Sequence, residues 1–279
     1  MTNKIIDCFI FYNELDLLKF RLDYLYNYVD YFIIVEARYT HAGNPKELFY
    51  YNNKSDFDKY NNKIIHIIID EFPKAEKSND YWKNEHWTRE NFQRNEIDKG
   101  LYIIDNLNKI NPNDIIIISD LDEIPDRERL KEFKNIQLYN NVRYVLLQDA
   151  YYYNINCKLN CIWDYAKIIN YYTYINTYDR KPQEIRLGNR FHKDIKVEKG
   201  GWHFSYFGNL NFIINKIKNF AHQEYNNDTF IDADKFKYHI DNNISIYNKD
   251  HTGVFTEIKD NNYLPENYEL LIKFEKDKI

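Results

Sequence analysis

The amino-acid sequence predicts an α/β protein with a doubly wound, mostly parallel sheet. Over the first 125 residues, apolar segments typical of buried strands alternate with helical segments, and this alternation favours parallel strands joined by crossover helices. Only 7 glycines and 6 prolines occur among the 279 residues, so long flexible linkers are not expected. We therefore expect one domain over residues 1–279.

The predicted elements of the first half follow one another regularly. Apolar segments predict strands at residues 4–11, 31–35, 64–69 and 115–118. Asn13 is a suitable N-cap for the first helix, whose leucines fall on one face: Leu15, Leu18, Leu22 and Leu25. A long helix is predicted over residues 88–107, directly before the fourth strand.

The second half is less regular. A long tyrosine-rich strand is predicted over residues 142–154, followed by short strands and turns to about residue 196. Gly200 and Gly201 then precede an aromatic segment, where glycine lets the backbone approach a ligand closely. Residues 209–224 are predicted to form a helix.

Three carboxylates follow the fourth predicted strand. Asp120, Asp122 and Glu123 come directly after a run of four isoleucines, and strand alternation puts Asp120 and Asp122 on one side of the backbone. One Asp would suffice to cap a following helix, and unpaired buried carboxylates are costly. Carboxylate oxygens suit hard divalent cations that keep positions open for phosphates. The sequence therefore predicts that Asp120 and Asp122 hold Mn²⁺ or Mg²⁺.

Further contacts are predicted around this cluster. Ligands of doubly wound sheets bind at the carboxyl ends of the strands, and Glu36 ends the second strand, where it could accept hydrogen bonds from uracil or ribose. Arg89 and Arg94, on the predicted long helix, could pair with a diphosphate. His203 could contact the metal or the diphosphate, although a histidine packed among aromatic side chains also fits this position.

Charge and cysteine content narrow the functional classes. The net charge is −5, the pI is about 5.9 and no run of Lys or Arg occurs, which argues against nucleic acid as the main partner. The 3 cysteines predict neither a disulfide framework nor a zinc site. No signal peptide or membrane span is recognised, so a soluble, cytoplasmic protein is expected.

Five blocks of sequence carry a family resemblance: residues 7–18, 29–36 with 40–46, 118–125, 201–206 and 220–224. In this order they resemble glycosyltransferase family 17. The resemblance implies a GT-A-like single domain, a glycan acceptor, inversion at the anomeric carbon and a UDP-sugar donor, which is UDP-N-acetylglucosamine in the characterised enzyme. From the pattern of elements along the chain we expect a nucleotide-binding half over about residues 1–125, an acceptor-facing catalytic half over about 126–225 and peripheral packing over 226–279.

Inversion requires a general base that takes the proton of the acceptor hydroxyl. Glu224, Asp149 and Asp179 are the candidates. Glu224 is favoured because it ends a His-Gln-Glu run within one of the matching blocks. Helix-end capping and ion pairing are the alternative roles for these residues.

Two other functional classes fit part of the sequence. A phosphatase of the haloacid-dehalogenase type also carries Asp-x-Asp after an apolar strand, but near the start of its domain and with a second acidic pair downstream. A non-catalytic glycan-binding protein would stack sugars on tryptophans, yet it would not need the acidic cluster. The tryptophans in question are Trp82, Trp87, Trp163 and Trp202.

Overall fold

The computed structural model of the chain describes residues 2–74, 80–188, 193–228, 230–247 and 253–276. Its strands form one sheet: β1 (Ile5–Phe11), β2 (Tyr31–Ala37), β3 (Ile64–Ile69), β4 (Ile115–Asp120), β5 (Glu123–Pro125), β6 (Val142–Tyr152), β7 (Cys157–Trp163), β8 (Lys167–Asn170), β9 (Lys193–Ser205) and β10 (Gly253–Phe255). Its α-helices are α1 (Leu15–Leu25), α2 (Phe49–Asn52), α3 (Glu85–Asn95), α4 (Ile97–Asn106), α5 (Arg127–Lys134), α6 (Tyr171–Asn176), α7 (Pro182–Leu187), α8 (Leu210–Asn219), α9 (Ala233–Asp241) and α10 (Glu269–Lys276).

The sheet combines a parallel part with a mixed part. Strands β3, β2, β1 and β4 lie side by side in parallel. Antiparallel β8 separates β4 from β6, and β6 continues through β7 to the short edge strand β10. The long strand β9 runs parallel to β6. It also pairs with β5, the short strand that begins at Glu123. The predicted α/β class with a mostly parallel sheet is confirmed.

Both faces of the parallel part are buried. Ile115 and Ile117 belong to the apolar cluster that contains the leucines of α1, whereas Ile116 and Ile118 belong to the cluster that contains the apolar side of α4. Because successive side chains of a strand point to opposite faces, a continuous run of isoleucine is what such a strand requires. Helix α4 lies close to β2 at Gly100, where a Cβ atom would come within 2.6 Å of the Ile33 side chain.

Two predicted helices end differently in the structure. The long helix predicted over residues 88–107 is two consecutive helices, α3 and α4, joined at Glu96. The break lets α3 bury polar Gln93 and Arg94 while α4 buries an apolar face. The helix predicted over residues 209–224 ends at Asn219, because Phe220 takes an extended backbone conformation, and a 3₁₀ turn over Gln223–Tyr225 follows.

The described cysteines Cys8, Cys157 and Cys161 are free thiols. Among the described residues, no helix has both the length and the apolar character that crossing a membrane requires.

Arg21 of α1 fixes the turn that carries the predicted acidic cluster. Its guanidinium is fully buried, donates to both carboxylate oxygens of Asp7 at 2.6 and 2.9 Å, and donates to the Ser119 hydroxyl at 2.7 Å. It also donates to the carbonyl oxygens of Asp120, Leu121 and Glu123 at 2.8–3.0 Å. One buried cation therefore satisfies several backbone acceptors of the β4–β5 turn.

We expect Arg21→Met to lower the free energy of unfolding by about 3–5 kcal/mol, because it leaves the Asp7 carboxylate buried without its counterion. Urea unfolding followed by tryptophan fluorescence measures the change, provided that the slope with denaturant stays constant. The matched control is Lys19→Met, on an exposed position of α1, which should change stability by less than about 0.5 kcal/mol. If Arg21→Met were as stable as the control, the conclusion that Arg21 stabilises the buried Asp7 carboxylate and the β4–β5 turn would be wrong.

Candidate active site

A cavity of about 470 Å³ lies at the carboxyl end of the parallel strands. It is reached by the ends of β1 and β4 and by residues 39–41 after β2, with Phe11, Asp120 and Thr40 among its lining. Residues of β9, α8 and the segment after α8 close its other sides. The cavity therefore occupies the edge at which sheets of this type bind ligands.

Asp120 lies between two guanidinium groups. Arg94 donates to its Oδ1 atom at 2.9 Å, and Arg186 of α7 donates to its Oδ2 atom at 2.7 Å. Burial alone would raise the pKa of Asp120, but Arg186 and Arg94 outweigh burial and hold the pKa below its usual range. Asp120 is therefore ionised at neutral pH, with both oxygens paired.

Asp122 carries the second carboxylate of the cavity. The Lys216 ammonium of α8 donates to its Oδ2 atom at 2.9 Å, while the Nε2 atom of His203 lies 3.6 Å from Oδ1. That separation is too long for a hydrogen bond. Burial opposes ionisation here too, but Lys216 and His203 outweigh it and lower the pKa of Asp122. The same pairing raises the pKa of Lys216 despite the burial of its ammonium.

Glu123 is buried beneath the cavity and organises its floor. Its carboxylate accepts two hydrogen bonds from Arg186, at 2.5 and 2.7 Å, and one from the indole nitrogen of Trp163 at 2.5 Å. The Trp163 ring in turn stacks on the His203 ring, with centroids 4.0 Å apart. Glu123 thus holds the orientation of an arginine, a tryptophan and, through the tryptophan, a histidine.

His203 has one polar atom without a partner. Its Nδ1 atom is buried and makes no hydrogen bond within the described residues. Its strand position, opposite Glu123 in the β5–β9 pair, places it beside the acidic turn. Across the described ranges, no three His, Cys, Asp or Glu side chains are grouped so that they could hold a metal ion. Asp122 and His203 are nevertheless adjacent carboxylate and imidazole donors on one wall.

Three predicted contacts, Glu36, Arg89 and Arg94, do not line the cavity, although Arg94 is hydrogen-bonded to Asp120, which does. Glu36 is fully buried, and its carboxylate accepts from the backbone amides of Tyr50 and Tyr51, at 3.0 and 3.3 Å, and pairs with His66 at 3.1 Å. Arg89 donates to the His41 carbonyl at 2.9 Å and packs against Gly43, so it supports the loop after β2. The side chains of Glu36 and Arg89 therefore stabilise neighbouring backbone segments and do not face the cavity.

The candidate bases lie apart from one another. Asp149 pairs with Lys158 at 2.6 Å across β6 and β7, and the Asp179 side chain is 78% exposed beside Lys181. Neither lines the cavity. Glu224 does not line the cavity, but its Oε1 atom lies 2.7 Å from the Nδ1 atom of His222, and His222 does line the cavity.

The cavity also contains charged residues that sequence reasoning missed. Lys46 and Glu14 fall within the matching blocks at residues 40–46 and 7–18, so the resemblance offered a signal for them. Arg186, Lys216 and Glu90 lie outside those blocks and reach the cavity only through the tertiary fold.

The tryptophans divide into two groups. Trp87 and Trp163 line the cavity, whereas Trp202 is 1% exposed and packs against Tyr263 at 4.7 Å between ring centroids. The side chain of Trp82 lies outside the described residues. Only part of the predicted aromatic set therefore borders the cavity.

Comparisons with known proteins show the family to which the chain is related. The β-1,4-mannosyl-glycoprotein 4-β-N-acetylglucosaminyltransferases of Rattus norvegicus and Homo sapiens are each 27% identical to this chain over 130 residues. The Mus musculus protein of the same name is 26% identical over the same length. Each match covers 46% of this chain but only 23% of the relative. The sequence profile described as Glycosyltransferase family 17 matches residues 1–250. The chain therefore belongs to glycosyltransferase family 17.

Proposed function

We propose that this chain is a metal-dependent, inverting glycosyltransferase that moves N-acetylglucosamine from UDP-N-acetylglucosamine to a glycan acceptor. The observation that carries the proposal is the pair Asp120 and Asp122, which lines a cavity at the carboxyl edge of the sheet together with basic and aromatic side chains. The names of the relatives support the donor sugar and a glycan as acceptor.

The donor atoms of the cavity fit Mn²⁺ or Mg²⁺. Asp122 offers carboxylate oxygens, the commonest ligands of both cations, and His203 offers an imidazole, which suits Mn²⁺ better. The Nδ1 atom of buried His203 has no partner in the described part of the chain, and its Nε2 atom is not hydrogen-bonded to Asp122. We assign the cation to Asp122 and His203, with Asp120 beside them. Bound there, it would act as a Lewis acid on the departing diphosphate.

Basic side chains around the cation site would contact the donor's diphosphate. Arg186 and Lys216 line the cavity, and each already faces a carboxylate at 2.5–2.9 Å. Lys46 is paired more loosely, with its ammonium 3.8 Å from the nearest Glu36 oxygen. Burial lowers the pKa of Lys46 to about 8. Because an anion favours the charged form of a lysine, Lys46 is suited to bind a diphosphate near neutral pH.

The aromatic walls would hold the sugars. Trp163 and Tyr165 lie on the Arg186 side of the cavity, while Trp87 lies against His222. Ligand cavities commonly combine such apolar walls with a few polar groups that fix orientation. We infer that the faces of the donor and acceptor sugars pack against these rings.

The two other functional classes explain less of the structure. In the haloacid-dehalogenase pattern the Asp-x-Asp strand comes near the start of the domain, whereas here β1, β2 and β3 precede β4. A glycan-binding surface would expose its tryptophans, but Trp202 is buried and Trp163 is fixed by Glu123. Glycosyl transfer accounts for the acidic pair and the aromatic walls together.

We expect Asp122→Asn to weaken UDP binding in the presence of Mn²⁺ by at least about 10-fold, because loss of a direct ligand should cost no less than loss of an outer-shell partner. Isothermal calorimetry with Mn²⁺ and UDP measures the affinity. In the wild-type chain, removal of the cation with EDTA should weaken UDP binding as well.

Asp56→Asn, at an exposed position of a 3₁₀ turn, is the matched control and should leave UDP affinity unchanged. The melting temperature of Asp122→Asn separates loss of binding from loss of folding. Unchanged Mn²⁺-dependent UDP affinity in a folded Asp122→Asn chain would refute the metal assignment.

We also expect UDP affinity to fall about fourfold between pH 7 and pH 8.5, in Mg²⁺, because Lys46 loses its proton in this range. With a pKa of about 8, the ammonium is mostly charged at pH 7 and mostly neutral at pH 8.5. If only the charged form binds the diphosphate, apparent affinity follows the protonated fraction. Calorimetry at the two pH values measures the change.

Lys46→Arg should remove this pH dependence while retaining affinity at pH 7, since a guanidinium stays charged. Lys99→Arg, at an exposed position of α4, should keep the wild-type dependence. A Lys46→Arg variant with the same fall in affinity as the wild-type chain would exclude Lys46 as the titrating contact.

A further inference from the structure

The His222–Glu224 pair lies on the cavity wall that the metal assignment leaves unused. The Nδ1 atom of His222 lies 2.7 Å from the Oε1 atom of Glu224. An ionised carboxylate can only accept, so Nδ1 carries the proton and the lone pair of the imidazole is on Nε2. Within the described residues, no group is hydrogen-bonded to Nε2. His222 therefore presents an unpaired basic nitrogen, and its side chain borders the cavity.

Three aromatic side chains restrict this imidazole, although its side chain is 41% exposed. Its ring packs edge-on against Trp87 with centroids 4.7 Å apart, and it lies beside the rings of Phe220 and Tyr225 at 5.5 and 5.8 Å. The segment follows α8 directly, and the end of α8 is fixed by a hydrogen bond from the Ala42 amide to the Asn219 carbonyl. A base needs such fixed placement, since small displacements of a catalytic group are costly.

We propose that His222 is the general base of the transfer reaction and that Glu224 positions it. This assignment rests on the proposed function and deepens it. The Nε2 atom of His222 takes the proton of the acceptor hydroxyl as the acceptor oxygen bonds to the anomeric carbon. The bond from that carbon to the β-phosphate oxygen breaks, and its electron pair leaves with UDP. The Glu224 carboxylate keeps the imidazole in the required tautomer and stabilises the imidazolium that forms.

Glu224 is less suited to be the base itself. It does not line the cavity, and its Oε1 atom is occupied by His222. Burial raises the pKa of Glu224, but hydrogen bonds from Tyr81 and His222 outweigh burial and lower it. A carboxylate with a lowered pKa is a weaker base near neutral pH.

The carboxylates that do line the cavity are engaged with cations. Glu14 lies 3.4 Å from the Lys216 ammonium, and Glu90 accepts from Arg94 at 3.0 Å. Asp120 and Asp122 are paired with Arg186 and Lys216 as described above. The hydrogen-bonded imidazole is therefore the better candidate for the proton acceptor.

Single and double variants test the assignment, with UDP release from UDP-N-acetylglucosamine measured with water and with a mannose-terminated oligosaccharide as acceptors. His222→Gln should lower kcat by about 10²–10⁴-fold, the range for loss of a general base, and should leave the Kd for UDP-N-acetylglucosamine unchanged. Glu224→Gln should also lower kcat at constant Kd, and Glu224→Asp, which restores the carboxylate, should recover part of the loss.

The double variant separates a positioning role from a direct one. Residues that act as a unit are non-additive, so Glu224→Gln should have no further effect on kcat in a His222→Gln background. His239→Gln, on α9, is the matched control and should behave as the wild-type chain does. Melting temperatures of all variants show whether each one is folded.

Two results would overturn the assignment while leaving the proposed function intact. One is a folded His222→Gln chain whose kcat stays within about threefold of the wild-type value, well short of the loss expected for a base. The other is a loss of kcat when Glu224→Gln is introduced into the wild-type chain and a further loss when it is introduced into the His222→Gln variant. That result would make Glu224 the base. A wild-type chain that releases no UDP from UDP-N-acetylglucosamine with either acceptor would instead overturn the proposed function, and the base assignment with it.

Discussion

The buried ion pair between Arg21 and Asp7 is the constraint on which the geometry of the candidate site depends. Three backbone carbonyls of the β4–β5 turn converge on the Arg21 guanidinium and accept hydrogen bonds from it. A guanidinium in this position requires a counterion, which Asp7 supplies. The pair is therefore best understood as fixing one conformation of the turn, so that Asp120 and Asp122 have defined places at the edge of the cavity.

Charge balance within the cavity follows from that turn. Asp120 is neutralised by Arg94 and Arg186, and Asp122 by Lys216, so each acidic residue is paired with cations from other elements. A nucleotide sugar with a divalent cation would bring both signs of charge into the same space. The cation then offers the carboxylates a new partner, and the diphosphate offers one to the basic side chains. Binding of this kind exchanges ion pairs and leaves no buried charge unpaired.

The sequence correctly predicted the elements that depend only on neighbouring residues, such as the apolar strands. Four apolar segments became the four parallel strands, and the acidic cluster lies where a strand-end argument puts it. The same argument misplaced Glu36, because strand position alone does not reveal that the amides of Tyr50 and Tyr51 are close enough to capture its carboxylate. Likewise, one long helix was predicted because the helical periodicity of the sequence continues through Glu96. In the structure α3 ends before Glu96 and α4 begins after it, and the two helices bury different faces.

What the sequence could not provide is the meeting of distant segments. The acids come from the end of β4, whereas the groups around them, Arg186, His203 and Lys216, come from α7, β9 and α8. These elements reach the acidic turn only because β9 crosses back beside β6 and pairs with β5. Helix α8 then links the two parts of the proposed chemistry, since Lys216 contacts Asp122 while His222 follows shortly after the helix ends. A shift of α8 along its axis would therefore disturb the surroundings of the cation site and the proposed base together.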